Sequence, residues 1–281
     1  SIGGRIMTRL SLKIGHQRLM NPKVAVIGGT GRMGGWFSGI LDPHCREIIR
    51  VGRSNPITPE QAAACDVLVF SVPMKETVKV IRNIAPLTSE DAMLMDLTSI
   101  KAKPMAAMLH YSRAEVVGAH PLFGPGKNGD SKKTCVLCEG RGEAGMVWIR
   151  KILESSGVNV LVSTPDVHDH VMGMIQGANH FASLAFAICM ARSGYSFDTL
   201  EGFATPAFQT RVDRIKNMMG QSGELFGSLL MENPNALGSM SDYLEGAREI
   251  LAMVKQGDTK EFGKRFESLK SYFGQVDEKG Q

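Results

Sequence analysis

A chain of 281 residues is long enough for two domains at roughly 100–200 residues each. Hydrophobic residues at 43% and charged residues at 21% exclude a disordered or collagen-like chain. The net charge of +4 is carried by Arg5, Arg9, Lys13 and Arg18, so the body is neutral and no nucleic-acid partner is expected.

Residues 1–20 read as a basic leader, an upstream extension ahead of Met20 that is not part of the fold. It lacks the apolar core of a secretory signal. Five scattered cysteines suit free thiols in a reducing compartment, so a cytoplasmic setting is expected. The most apolar stretch, Phe181 to Met190, falls short of the roughly 20 residues a bilayer needs, and no membrane partner is expected.

From residue 21 to 163 short apolar runs alternate with helical spacers. Lys23–Ile27 is a β-branched strand leading into Gly29-Thr30-Gly31-Arg32-Met33-Gly34, followed by Trp36, Phe37, Ile40 and Leu41 at helical spacing. Further strands are expected at 47–51, 66–72, 92–97, 115–118, 134–138 and 158–162, with helices at 58–64, 75–84, 101–110 and 143–155. This alternation predicts an α/β, Rossmann-type, mostly parallel sheet covered on both faces. From 164 to 281 only helical patterns follow, at 165–193, 197–219, 222–232, 234–256 and 258–275. They predict an all-helical second domain for substrate and dimerisation.

The Gly29-x-Gly31-x-x-Gly34 spacing, after a strand and opening a helix, is a dinucleotide fingerprint. Its glycines allow a tight turn, close approach of a pyrophosphate and close helix packing, and the helix N-terminus offers free N–H groups. At the end of the second strand no carboxylate appears. Arg53 and Ser54 stand there instead, a cationic fork and a hydroxyl suited to a 2′-phosphate, which favours NADP over NAD.

Three later segments fall at strand ends, the edge where an open α/β sheet binds ligands. Ser71-Val72-Pro73 lets small groups approach the cofactor. Asp96-Leu97-Thr98-Ser99-Ile100-Lys101 places hydroxyls, although Ser99 also reads as a helix N-cap. Gly118 to Gly126 contains His120, held between a strand end and Pro121 and able to accept a proton near neutral pH. His168-Asp169-His170 looks like a metal cluster, but neighbours on a helix diverge, so the triplet reads as first-turn chemistry. Cys135 and Cys138 face opposite sides of a strand. No metal is expected.

Four segments together resemble the prephenate dehydrogenases, in particular the dehydrogenase half of bifunctional chorismate mutase–prephenate dehydrogenases. They are Gly29–Gly34, Asp96–Lys101, His120–Pro125, and Thr164–Met172 continuing through Ile175–Phe181. The resemblance implies oxidative decarboxylation of prephenate to 4-hydroxyphenylpyruvate and CO2. His120 would handle the proton of the C4 hydroxyl, Ser99 would bond the same hydroxyl, and Gln176 and His180 would reach the substrate from the second domain. A homodimer with a small-molecule substrate is implied.

One position departs from the family pattern. Gln209 stands where an arginine usually grips a substrate carboxylate, and Arg211 is the candidate replacement, with Arg214 another. No regulatory module or chorismate mutase half is expected in this length. The competing readings are an arogenate dehydrogenase, a 3-hydroxyacid dehydrogenase and a catalytically silent NADP-sensing protein.

Overall fold

A computed structural model describes residues 18–124 and 133–274. Arg5, Arg9 and Lys13 of the leader, and Pro125 and Gly126 of the histidine motif, lie outside the described residues. The first unit is a seven-stranded sheet in the order β2-β1-β3-β4-β5-β6-β7. Its strands are β1 (Lys23–Ile27), β2 (Glu47–Val51), β3 (Val67–Phe70), β4 (Met93–Asp96), β5 (Glu115–Pro121), β6 (Thr134–Arg141) and β7 (Asn159–Ser163). Pairing is parallel except between β5 and β6.

Every residue of β3 and β4 is buried, as the continuous apolar runs of a doubly covered sheet require. One face carries α1 (Arg32–Leu41) and α5 (Ala144–Ser155). The other carries α2 (Pro59–Ala63), α3 (Met74–Ile84) and α4 (Ala102–Tyr111). Cys135 and Cys138 fall into the two opposite cores, as strand alternation demands. Burial pushes both thiols up to about 12.

Two expectations need correction here. Leu19 is buried in the sheet core and Arg18 pairs with Asp66 at 3.7 Å, so the last residues of the supposed leader belong to the fold. The fifth strand does not stop at residue 118 but runs on to Pro121. Its last residues, Ala119 to Pro121, pair only with β6. His120 therefore sits inside a strand rather than after one.

The second unit is helical. Pro165–Ala191 forms one continuous helix of 27 residues: α6 (Pro165–Met172), a wider π segment (Gly173–Ala178) and α7 (Asn179–Ala191). Thr164 caps its start, with Pro165 at the first helical position. With an 18-residue window of mean hydropathy 1.2, this helix is long and apolar enough to cross a membrane by length and composition alone. The argument from the short 181–190 stretch thus gives way, because the whole helix must be counted.

Next come α8 (Phe197–Gly202), α9 (Pro206–Met219), α10 (Gly223–Met231), α11 (Pro234–Gln256) and α12 (Thr259–Phe273). The expected single helix over 197–219 is broken by Pro206, which starts a new helix capped by Thr205. A small core of Met218, Phe226 and Leu229 also takes in Leu184 and, from the sheet unit, Met74.

Candidate active site

The glycine-rich loop has the shape its spacing predicts. Gly28 turns with φ +87°, a conformation side chains avoid, and a Cβ there would collide with the Ser71 carbonyl. Gly34 packs onto the Gly28 carbonyl and brings α1 close to the sheet. Gly31 caps α1 without a side-chain bond, and the first turn holds no acid. A Cβ on Gly31 would meet only Gly28 O, at 3.2 Å, so the space above it is open. Free N–H groups, an open approach and no opposing carboxylate fit a pyrophosphate.

Thr30 rests against Gly52 at the end of β2. There Gly52 and Asn55 bond backbone to backbone at 3.2 and 3.1 Å, closing a two-residue turn with Arg53 and Ser54 exposed at its tip. Arg32 is exposed at the start of α1, and Met33 packs inward. Ser71 N–H donates to Ile27 O at 2.7 Å, and Pro73 caps α3 directly before Met74. The expected cofactor residues thus line one rim.

At the ends of β4 and β5 lies a buried polar cluster. Lys101 is fully buried, and its Nζ donates to Asp96 Oδ2 at 2.5 Å and to Ala119 O at 2.7 Å. Gly118 makes this possible, since the Lys101 stem crosses where a Cβ would stand, at 3.1 Å. Thr98 donates to Asp96 through both its N–H and its hydroxyl. Burial raises the Asp96 carboxyl, and the bonds from Lys101 and Thr98 oppose that rise. Asp96 Oδ1 has no partner among the described residues.

His120 projects from β5 beside this cluster, 3% exposed. Its Nδ1 lies 2.9 Å from His168 Nε2. Its Nε2 lies 3.5 Å from Gln176 Nε2. Burial holds the His120 imidazole well below the usual histidine range, with His168 and the Lys101 ammonium adding to the effect. The ring is neutral at physiological pH and can accept a proton.

His168 in turn bonds Asp169, Nδ1 to Oδ1, at 2.8 Å. Asp169 also accepts the backbone N–H groups of Lys101 at 2.7 Å and Ala102 at 3.0 Å. Burial alone would raise the Asp169 carboxyl, but the bonds from His168, Ala102 and Lys101 outweigh it and lower it. The first-turn reading of the His168-Asp169-His170 triplet is corrected: the first two side chains are buried and bonded to His120 and to the start of α4. The N-cap reading of Ser99 is corrected too, because Asp169 of the helical unit caps α4.

The π segment explains how one helix supplies both neighbours of His120. On an α-helix, residues eight apart are rotated by about 80°. A π turn that absorbs about one extra residue brings them within about 20°. His168 and Gln176 then share a face. Asn233 is buried where the helix widens, and its Nδ2 donates to Asp169 O at 2.7 Å. Gly177 allows close packing, since a Cβ there would lie 2.8 Å from Ala236 Cβ.

Three expected residues are not joined to His120. Ser99 is half-buried between β4 and α4, and the bonds of the His120 ring go to His168 and Gln176 instead. His180 stacks edge-on against Phe226 at 5.0 Å, and burial lowers its imidazole. Phe226 shares its core with Met74, which follows Pro73, so His180 lies toward the cofactor rim. Arg211 is exposed and lies over the Phe186 ring at 3.9 Å. Gln209 bonds Asp213 within its own helix at 2.9 Å. Neither residue grips anything beside His120.

Two family models match the chain. The prephenate dehydrogenase nucleotide-binding domain covers residues 45–142, and the prephenate dehydrogenase dimerization domain covers 164–268. The chain belongs to the prephenate dehydrogenase family. The glycine loop precedes the matched range, so its reading rests on its own geometry.

A probable arogenate/prephenate dehydrogenase of Methanocaldococcus jannaschii is 28% identical over 92% of this chain. The T-protein of Enterobacter agglomerans is 27% identical over 89%. The chain spans 63% of the archaeal relative's length and 67% of the T-protein's. Among solved structures, Synechocystis arogenate dehydrogenase covers 89% of this chain and 98% of its own at TM-score 0.70 and 17% identity. That likeness is one of fold.

Proposed function

We propose that this member of the family oxidises and decarboxylates prephenate to 4-hydroxyphenylpyruvate, using NADP, as a cytoplasmic homodimer. The observation that carries the reading is His120, a buried imidazole on β5 whose Nδ1 is engaged by His168 and whose Nε2 faces only Gln176 among the described residues, at 3.5 Å. A bound nicotinamide supplies the acceptor for the hydride that leaves the ring carbon bearing the hydroxyl.

His120 Nε2 takes the hydroxyl proton as that hydride departs. The ring carboxylate then leaves as CO2, and its bonding electrons make the ring aromatic. His120 returns its proton to the phenolate oxygen, so the residue ends as it began. General-base action of this kind is worth about 10²–10⁴ in rate. Gln176 faces the same nitrogen and holds the substrate hydroxyl against it. Burial of His120 and Lys101 keeps water from competing for the proton.

Gly29, Thr30, Gly31, Arg32 and Gly34 are the residues that would hold the pyrophosphate. Arg53 and Ser54 would hold the 2′-phosphate. The NADP preference is supported by this basic tip and by the absence of an acid at the end of β2. A relative in Schizosaccharomyces pombe is described as a probable NADP-dependent prephenate dehydrogenase, and the Aquifex aeolicus structure was solved with NAD. The homodimer is supported by the match to the dimerization domain and by exposed apolar helix faces.

A 340 nm assay with prephenate or arogenate against NADP or NAD tests the reading. Turnover of prephenate with NADP is expected, and His120→Asn lowers kcat about 10²–10⁴-fold. Preference for arogenate would change the substrate but keep the chemistry. No turnover of either substrate with either cofactor would end the reading.

A further inference from the structure

We propose that His168 and Asp169 are positioning residues: a buried relay that fixes His120 in the tautomer whose Nε2 is bare. The proposal rests on His120 being the base, and it deepens that reading.

The polarity of the chain is set at its far end. The backbone N–H groups of Lys101 and Ala102 can only donate, and both point at the Asp169 carboxylate, at 2.7 and 3.0 Å. They open helix α4, whose partial positive charge holds a carboxylate in its ionised form. An ionised carboxylate only accepts, so His168 Nδ1 must carry the hydrogen across 2.8 Å. In a neutral His168 ring Nε2 is then the acceptor, and His120 Nδ1 carries the hydrogen across 2.9 Å. That leaves the lone pair of His120 on Nε2, the side facing Gln176.

No other group can take over. His120, His168 and Asp169 are each at most 3% exposed, so bulk water cannot supply a substitute acceptor. Lys101 Nζ is committed to Asp96 and Ala119 O. The Cys135 thiol, on the neighbouring strand, stays protonated because burial pushes it up to about 12. Gln176 is on the opposite side of the ring. The relay also crosses the domain seam, since His120 and α4 belong to the sheet unit and His168 and Asp169 to α6. Asn233 fixes the Asp169 backbone from α11 at 2.7 Å. The base is correctly protonated only when the helical unit is seated.

Two variants separate positioning from simple support. His168→Leu removes the acceptor, whereas His168→Gln keeps an amide oxygen able to reach the same place. In His168→Leu, kcat is expected to fall about 10²-fold or more while KM for prephenate and NADP moves less than about threefold. His168→Gln is expected to recover about tenfold of that loss. An unchanged kcat in His168→Leu, or a KM rise equal to the kcat loss, overturns the proposal.

The second measurement needs no substrate. Long-range ¹H–¹⁵N correlation of the ring nitrogens is expected to show His120 protonated at Nδ1 and bare at Nε2 in the wild type. His168→Leu is expected to move the proton toward Nε2. A wild-type ring protonated at Nε2, or a ring unaltered by His168→Leu, overturns the relay. If the wild type turns over neither prephenate nor arogenate, the functional reading fails, and the ring spectrum still decides the relay. Should His168→Leu not fold, the His168→Gln spectrum decides: Nδ1 must keep its proton there.

Discussion

The sheet unit and the helical unit solve the same problem differently. In the sheet unit, β3 and β4 are wholly buried, and helices cover both faces. Its apolar surface is satisfied within one chain. In the helical unit, α7 and α12 have no buried residue and α11 has only Ala236. Ile188, Leu251, Val254 and Phe266 are each about half exposed or more, at 51%, 52%, 64% and 52%. Apolar helix faces of this extent mark an interaction surface. The first unit matches the family's nucleotide-binding domain, and the second, with its exposed apolar faces, matches the family's dimerization domain.

The largest expected effect tests that contrast directly. Light scattering should give the wild type twice the chain mass of 30.5 kDa. Leu251→Glu combined with Val254→Glu on α11 should give the single-chain mass, with NADP binding by the sheet unit retained. A monomeric wild type, or a double variant that stays dimeric, would break the comparison.

A smaller effect is expected at the cofactor rim. Arg53→Ala removes charge-assisted bonds worth about 1.5–3 kcal/mol, so the KM for NADP should rise about 10- to 100-fold. The KM for NAD should hardly move. An unchanged NADP value would move phosphate recognition to another residue and leave the tip at Arg53 and Ser54 without a role.

The smallest effect concerns the seam between the two units. The folded pKa of His120 lies well below 6.5 and the unfolded one near it. As pH falls below about 6.5 the unfolded chain takes up the proton first, so the stability from a neutral buried ring is full above that value and is lost below it. Unfolding free energies from urea titrations should be lower at pH 5.5 than at pH 7.5 by about 1 kcal/mol from this residue. In His120→Asn that part of the difference should vanish. Equal pH dependence in both proteins would show that the ring is not buried as described.

Much of this was legible in the residues. The β-branched runs marked the strands, because a doubly covered sheet demands continuous apolar segments. The loop at 29–34 was legible because its glycines are local requirements of turn and close approach. His120 was legible through its place before Pro121. Less legible was the pair His168 and Asp169, since consecutive helix residues normally diverge. Here both turn toward the sheet unit, where α4 offers N–H groups and β5 offers an imidazole. A polar pair opening an otherwise apolar helix was the available signal. Lys101 was hidden too, because an ammonium is buried only when distant partners such as Asp96 and Ala119 O enclose it.

By itself, then, the chain's order of residues determined the strand segments, the glycine loop and the candidacy of the imidazole at 120, because each shows in a pattern of a few neighbouring residues. Tertiary structure alone decided which nitrogen of that imidazole is bare. That choice passes through α4, α6 and α11, and hydrogen-bond polarity has no meaning until the donors and acceptors have been brought together.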